Sequence, residues 1–180
     1  MKLAYADPPY LGNGHRVKSG IYKGHPDDAG PVDHELLLGR LREYDGWALS
    51  ASSPSLGFVL SLSPPGVRVG AWCKTWSANR PWAGARYSWE PVIFSPARRS
   101  HRAIVRDWML SSPQMGADLI GQKPPEFCRW VFHLLGAEPE DEFDDLFRGS
   151  GAVARAWEKF QAQGQLSLSS PSRELEERGK

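Results

Sequence analysis

Short apolar runs and one longer helical pattern alternate along this chain. KLAYA, residues 2–6, is a buried-strand pattern that stops abruptly at Asp7-Pro8-Pro9-Tyr10. The residue before a proline is pushed toward extended backbone and each proline lacks a backbone donor, so a stiff corner is expected there. A long loop with glycines, histidines and the cations Arg16, Lys18 and Lys23 follows through Pro31. From Asp33, a natural N-cap, the apolar positions Leu36, Leu37, Leu41 and Tyr44 recur at helical spacing. GWALSAS then predicts a second strand, Pro54–Leu62 a short helix and GVRVGAWC a third strand. Strand, helix, strand, helix, strand predicts an α/β fold on a parallel sheet.

The second half is less regular. YSWEPVIFSP predicts a fourth strand, and residues 96–122 a loop with at most one short helix. KPPEFCRWVFHLLG predicts a helix with Pro125 in its first turn and Gly136 as its stop. DEFDDLF predicts a strand, RGSG a tight turn and AVARAWEKFQAQ a helix; past Gly164, QLSLS is the remaining strand candidate. The polar stretch 166–180 is expected to be a frayed tail. No internal repeat is present.

Composition narrows the class. At 180 residues the chain is long enough for one domain with a core. Hydrophobic residues at 41% and charged ones at 24% fit a globular protein, and no apolar run reaches a membrane span or a signal peptide, so the expected compartment is the cytoplasm. Cys73 and Cys128 are far apart and outside any CxxC, which predicts buried thiols and neither a disulfide framework nor a metal site. A net charge of +1 gives no global nucleic-acid signature, but Arg98, Arg99, His101, Arg102 and Arg106 form a local basic patch. Five of the eight tryptophans, Trp72, Trp76, Trp82, Trp89 and Trp108, fall between residues 72 and 108, where core packing and base stacking are both open.

Two motifs carry chemistry. The DPPY corner offers a carboxylate, a proline-fixed carbonyl and a ring, a set suited to gripping something flat and polar; finishing a strand is its plainer use. DDLFRGSG, Asp144–Gly151, sets a glycine turn between a strand and a helix, the geometry in which backbone amides meet a ligand's polar groups. It is neither a dinucleotide fingerprint nor a phosphate loop, since no lysine follows its second glycine.

Taken together, DPPY, a helix opening with KP and D-x-F-x-G-S-G resemble the amino-group DNA methyltransferases that use S-adenosyl-L-methionine, in the permuted order in which the catalytic motif precedes the cofactor motif. The segments AWCKTW and YSWEPVIF are similar to the hairpin of small phage and actinobacterial members. The resemblance implies a Rossmann-like methyltransferase sheet over 1–165, with a catalytic half (1–95), a recognition loop (96–122) and a cofactor half (123–165). It implies catalytic roles for Asp7, Pro8, Pro9 and Tyr10. It implies cofactor contacts from Ala6, Asp7, Lys123, Pro124, Asp145, Phe147, Gly149, Ser150 and Gly151, with Lys123 approaching the cofactor carboxylate or closing the pocket. Target choice would fall to Arg16 and Lys18, to Lys74 and Arg80, and to Arg98, Arg99 and Arg102 as phosphate contacts. The expected partner is DNA, duplex or single-stranded, and the expected acceptor is the N6 amino group of adenine.

The sequence departs from the family in two places. No acid follows the cofactor helix to hold ribose hydroxyls, and the chain after Gly151 is hardly long enough for two further strands, so the sheet is expected to be cut short at one edge, open to a second copy or a partner subunit. Arg148 stands where a small residue or proline is usual, and an outward-facing side chain is expected. Rival readings keep the chemistry on cytosine N4, an RNA base or a glutamine side chain, or make the chain an inactive nucleic-acid-binding subunit. A tryptophan-rich interaction domain would explain the aromatics but neither motif.

Overall fold

The computed structural model describes residues 1–10, 32–77, 84–98, 104–113 and 122–169, with side chains to residue 164. The sequence folds around a six-stranded mixed sheet: β1 (Lys2–Ala6), β2 (Gly46–Ser50), β3 (Arg68–Lys74), β4 (Trp89–Ser95), β5 (Trp108–Ser111) and β6 (Glu142–Asp145), in the order β5-β3-β4-β2-β1-β6. Its helices are α1 (His34–Leu41), α2 (Leu56–Leu62, entered through a 3-10 turn), α3 (Pro125–Leu135) and α4 (Ala152–Ser169). No described helix is long and apolar enough to cross a membrane.

The wholly parallel expectation is corrected by β4. β1 pairs in parallel with β2 and with β6, but β3 does not dock on β2: β4 lies between them, antiparallel to both. The reason is burial. Val92, Ile93 and Phe94 are apolar on both faces and at most 1% exposed, so the strand needs a central place, and it takes one as the return arm of the β3–β4 pair.

Two apolar layers cover the sheet. Leu3, Tyr5, Ala48, Trp72, Val92 and Phe94 pack with α3 and α4, whereas Ala4, Ala6, Trp47, Leu49 and Ile93 pack with α1 and α2. The alternation along β1 follows from the two-residue period of a strand. Trp157 of α4 stacks on Phe143 of β6, with centroids 4.9 Å apart, and meets Phe132 of α3 edge-on at 5.1 Å. This contact fixes α4, and with it the glycine turn just before it.

Several boundaries differ from the sequence reading. Asp33 does cap α1, accepting from the amides of Glu35 and Leu36 at 2.9 and 3.1 Å, but the inward face is His34, Leu37, Leu38 and Leu41; Leu36 is 73% exposed and the helix ends before Tyr44. The segment 96–122 is not only loop, because β5 lies within it and pairs in parallel with β3. QLSLS is not a strand: α4 continues through it to Ser169. Gly164 allows this, since a Cβ there would stand 2.0 Å from Cγ of Pro139, and Gln161 one turn earlier donates to the Pro139 carbonyl at 2.9 Å. Among the described residues β6 is therefore an edge strand, as the shortened sheet predicts. α3 begins at Pro125 and stops at Gly136, whose φ of 68° is left-handed.

Candidate active site

β1, β2 and β6 run in parallel, so their C-terminal ends open on the same side, where open α/β sheets bind ligands. β1 delivers Asp7 through Tyr10 to that side, and β6 delivers Asp145 and then the glycine turn. In register Tyr5 faces Asp145, and the Leu146 amide donates to the Tyr5 carbonyl at 2.9 Å. Ala6 and Pro8 are buried, while Asp7, Pro9 and Tyr10 are partly open. The Tyr5 hydroxyl meets Ser50 Oγ at 2.7 Å, tying the ends of β1 and β2 together.

Lys123 organises the polar centre. Its side chain is 6% exposed, with Nζ 3.1 Å from Asp7 Oδ1 and 3.0 Å from Glu90 Oε2. Nζ also lies 3.4 Å from the Tyr10 hydroxyl, which donates to Glu90 Oε2 at 3.0 Å. Lys74 pairs with Glu90 Oε1 from β3. The Lys123 ammonium sits over the rings of Trp72, Phe127 and Tyr10 at 5.3, 5.5 and 5.9 Å, an arrangement that favours a cation.

These contacts set the charges. Burial pushes the Asp7 carboxyl above its ordinary range; Lys123 opposes this and Glu90 adds to it. For Glu90 burial acts in the same sense, but Lys123 and Lys74 outweigh it and bring the carboxyl down to about 2. Burial pulls Lys123 down, yet Asp7, Tyr5 and Glu90 hold its ammonium well above the usual lysine value. Cys128, on the inner face of α3, is pushed up to about 12, first by burial and then by Asp145, so its thiol is inert at neutral pH.

The turn after β6 has the backbone a close approach requires. Gly149 and Gly151 have φ of 43° and 71°, and a Cβ on Gly149 would meet nothing nearer than the Phe147 carbonyl at 3.8 Å. Arg155 donates to the Ser150 carbonyl at 2.8 Å and the Gly151 amide to the Arg148 carbonyl at 2.6 Å, which holds the turn at the head of α4. Both Asp145 carboxylate oxygens are sealed from solvent. Phe147 packs toward the α1–α2 layer, and Arg148 is exposed.

The expected residues thus separate into groups. Asp7, Tyr10 and Lys123 meet directly, Pro8 and Pro124 are buried beside them, and Asp145, Phe147, Gly149, Ser150 and Gly151 line the turn at the neighbouring strand end. Two cations read as nucleic-acid contacts are turned inward. Lys74 joins Glu90, and Arg98 donates twice to Asp141, at 2.6 and 2.9 Å, and to the Gly136 carbonyl at 2.9 Å. Arg16, Lys18, Arg80, Arg99 and Arg102 lie outside the described residues. Trp72 is a core residue, 2% exposed, whose ring nitrogen donates to Ser111 at 2.8 Å, whereas Trp76, Trp89 and Trp108 are exposed.

Sequence reasoning missed Glu90 and Ser50. Glu90 had a signal: it is the lone charge in the apolar strand WEPVIFS, and a charge on an interior strand requires partners. Ser50 likewise ends a strand buried along its whole length.

No protein-family model and no curated protein matches the chain. Among solved structures, the crystal structure of an M1.HpyAVI–SAM complex superposes with a TM-score of 0.61 at 13% identity, covering 89% of this chain and 78% of that one. A second structure, of M1.HpyAVI, gives 0.49 at 16% identity over 88% and 76%. At such identity the first likeness speaks for architecture: the chain has the Rossmann-like methyltransferase fold, with the DPPY strand ahead of the glycine-turn strand in chain order.

Proposed function

We propose that this chain transfers a methyl group from S-adenosyl-L-methionine to the N6 amino group of adenine in DNA. One observation carries the reading: β1 and β6, adjacent and parallel, present DPPY and D-x-F-x-G-S-G at the same end of the sheet. The residues suit the cofactor. The left-handed glycines leave the backbone open to a ligand, Asp145 puts a carboxylate at the strand end beside that turn, and the SAM-bound neighbour of the same architecture supports the choice. When bound, the cofactor supplies an electrophilic methyl group on a sulfonium centre.

The chain's own residues handle the amine. An exocyclic amino group conjugated with a base is a poor nucleophile, because its lone pair is spread into the ring. Asp7 and the Pro8 carbonyl accept hydrogen bonds from its two N–H groups, which lets the nitrogen pyramidalise, the buried proline fixes the carbonyl, and the surplus proton of the methylated nitrogen leaves to Asp7 or water. Tyr10 stacks on a base taken out of the helix and offsets part of the unstacking cost of a few kcal/mol. Asp7 accepts strongly through both oxygens only as a carboxylate; when it is protonated one oxygen becomes a donor and the remaining acceptor is uncharged and weaker. Because burial raises its pKa, the proposed reaction fails as pH falls through that raised value.

The test is transfer of radiolabelled methyl to duplex DNA, single-stranded DNA and RNA by the wild type and Asp7→Ala, followed by nucleoside digestion. Label in N6-methyldeoxyadenosine that disappears with Asp7→Ala is the expected result. Label in N4-methylcytosine or in RNA alone would move the acceptor, and absence of both label and cofactor binding would overturn the reading. That last outcome would favour an inactive nucleic-acid-binding subunit, which the edge position of β6 also suits: among the described residues no further strand follows to carry a ribose-holding acid.

A further inference from the structure

Glu90 is the single charged residue of β4, and its side chain turns into the polar centre. It gathers three donors from three parts of the chain: Lys74 from β3, Lys123 at 3.0 Å from just ahead of α3, and the Tyr10 hydroxyl at 3.0 Å from the corner after β1. Lys123, 6% exposed, divides its ammonium between Glu90 and Asp7, at nearly equal distances of 3.0 and 3.1 Å.

That division matters for an acid that must accept a hydrogen from an incoming amine. A buried ammonium with one carboxylate partner pairs with it fully and weakens it as an acceptor; with two partners its pull on each is smaller. We propose that Glu90 is a positioning residue for the Asp7–Tyr10 corner: by sharing Lys123 and accepting from Tyr10, it keeps the ammonium from closing wholly on Asp7 and holds the ring where a base stacks. The inference rests on the amine-methylating reading and adds to it a residue outside both motifs. Lys74 completes the balance, since two cations and two carboxylates leave the cluster neutral before substrate enters.

Replacing Glu90 by glutamine keeps its shape and removes its charge, so Lys123 turns to Asp7 and the Tyr10 contact weakens. The groups bearing on Asp7 are Tyr5 on β1, Tyr10, Glu90 on β4, Lys123 ahead of α3 and Cys128 on α3; of these, Glu90 and Lys123 carry the charge at neutral pH. Loss of the Glu90 charge with Lys123 retained makes Asp7 easier to ionise. The acid limb of the kcat profile therefore moves to lower pH even as kcat falls.

The experiment compares wild type and Glu90→Gln for methyl transfer across pH, with cofactor affinity measured by calorimetry. The expected result is a kcat lower by about tenfold or more, cofactor affinity within about threefold of wild type, and an acid limb displaced to lower pH. A folded variant with wild-type kcat and limb, or a loss confined to cofactor affinity, overturns the proposal and leaves the methyltransferase reading standing. Wild type that labels no polymer overturns both. Should Glu90→Gln fail to fold, Glu90→Asp replaces it: charge kept and reach shortened, it lowers kcat with little movement of the limb, and wild-type kcat in that variant overturns the proposal.

Discussion

Tyr5 and Asp145 are partners in register across the parallel pair of β1 and β6, which brings the two ends of the sequence to one sheet end. Tyr5 lies two residues before Asp7, and Asp145 two before Phe147 and four before Gly149. A strand and its parallel neighbour thus carry the acid corner and the glycine turn outward together. The geometry depends on register, because a one-residue slip would turn Tyr5 out of its aromatic layer, where it meets Phe127 edge-on at 5.9 Å.

Asp145→Asn tests the cofactor end of the site. If Asp145 holds the cofactor's polar end, Asp145→Asn removes a charge-assisted acceptor, a change of about 1.5–3 kcal/mol, and cofactor affinity falls by roughly 10- to 100-fold. Calorimetric titration of the folded variant checks it. Unchanged affinity would assign Asp145 to the packing of the strand end alone.

Asp7→Asn separates grip from fold. The amide keeps one acceptor oxygen but no charge, so methyl transfer is expected to fall by roughly 100- to 1000-fold, the scale of losing one transition-state contact, while cofactor affinity changes little. Rates at saturating cofactor and DNA make the measurement. A fall in cofactor affinity that accounts for the whole loss would count against the catalytic role.

How much of this could be read before the structure depends on range. Asp33 as a cap, Pro125 and Gly136 at the ends of α3 and the corner after KLAYA are local decisions, written within a few residues and visible as such. Placement of β4 between β2 and β3 is a long-range choice made by the burial of Val92, Ile93 and Phe94, and strand periodicity alone does not state a partner. The same holds at the site. Asp7 and Lys123 are legible from motifs, but Glu90 gains its role from contacts with residues 10, 74 and 123, and Arg98, which its basic neighbours mark as a phosphate contact, is instead held by Asp141. The helix through QLSLS depends on Gly164 passing Pro139, a contact that composition does not reveal.

Acid sensitivity is expected from Asp141 and Glu90. Burial would raise the Asp141 carboxyl, but hydrogen bonds, Arg98 foremost, bring it down to about 2, and Glu90 also lies at about 2. A carboxylate depressed in the folded state adds stability above its unfolded pKa, and that stability is lost as pH falls through the folded value. Unfolding free energy should therefore decline between about pH 5 and pH 2, with Asp141 contributing about 2 kcal/mol or less. Asp141→Asn should flatten that part of the curve, measured by urea unfolding at stepped pH. A variant with the wild-type slope would place the sensitivity elsewhere.

Gly136 couples the end of α3 to this ion pair. Its φ of 68° suits glycine, and a Cβ there would stand 2.6 Å from the Arg98 carbonyl oxygen, closer than real contacts allow. Arg98 in turn donates to the Gly136 carbonyl and to Asp141, so the helix stop, the arginine and the acid form one unit. Gly136→Ala carries a left-handed backbone cost of about 1–2 kcal/mol, and the clash adds to it by moving Arg98. Because that movement also loosens the Asp141 pair, the double variant Gly136→Ala/Asp141→Asn should lose less stability than the two single losses combined, by about 0.5 kcal/mol or more. Urea unfolding of the four proteins gives the cycle. Strict additivity would mean that Arg98 keeps its grip on Asp141 when the helix stop is forced, and that the two contacts are independent.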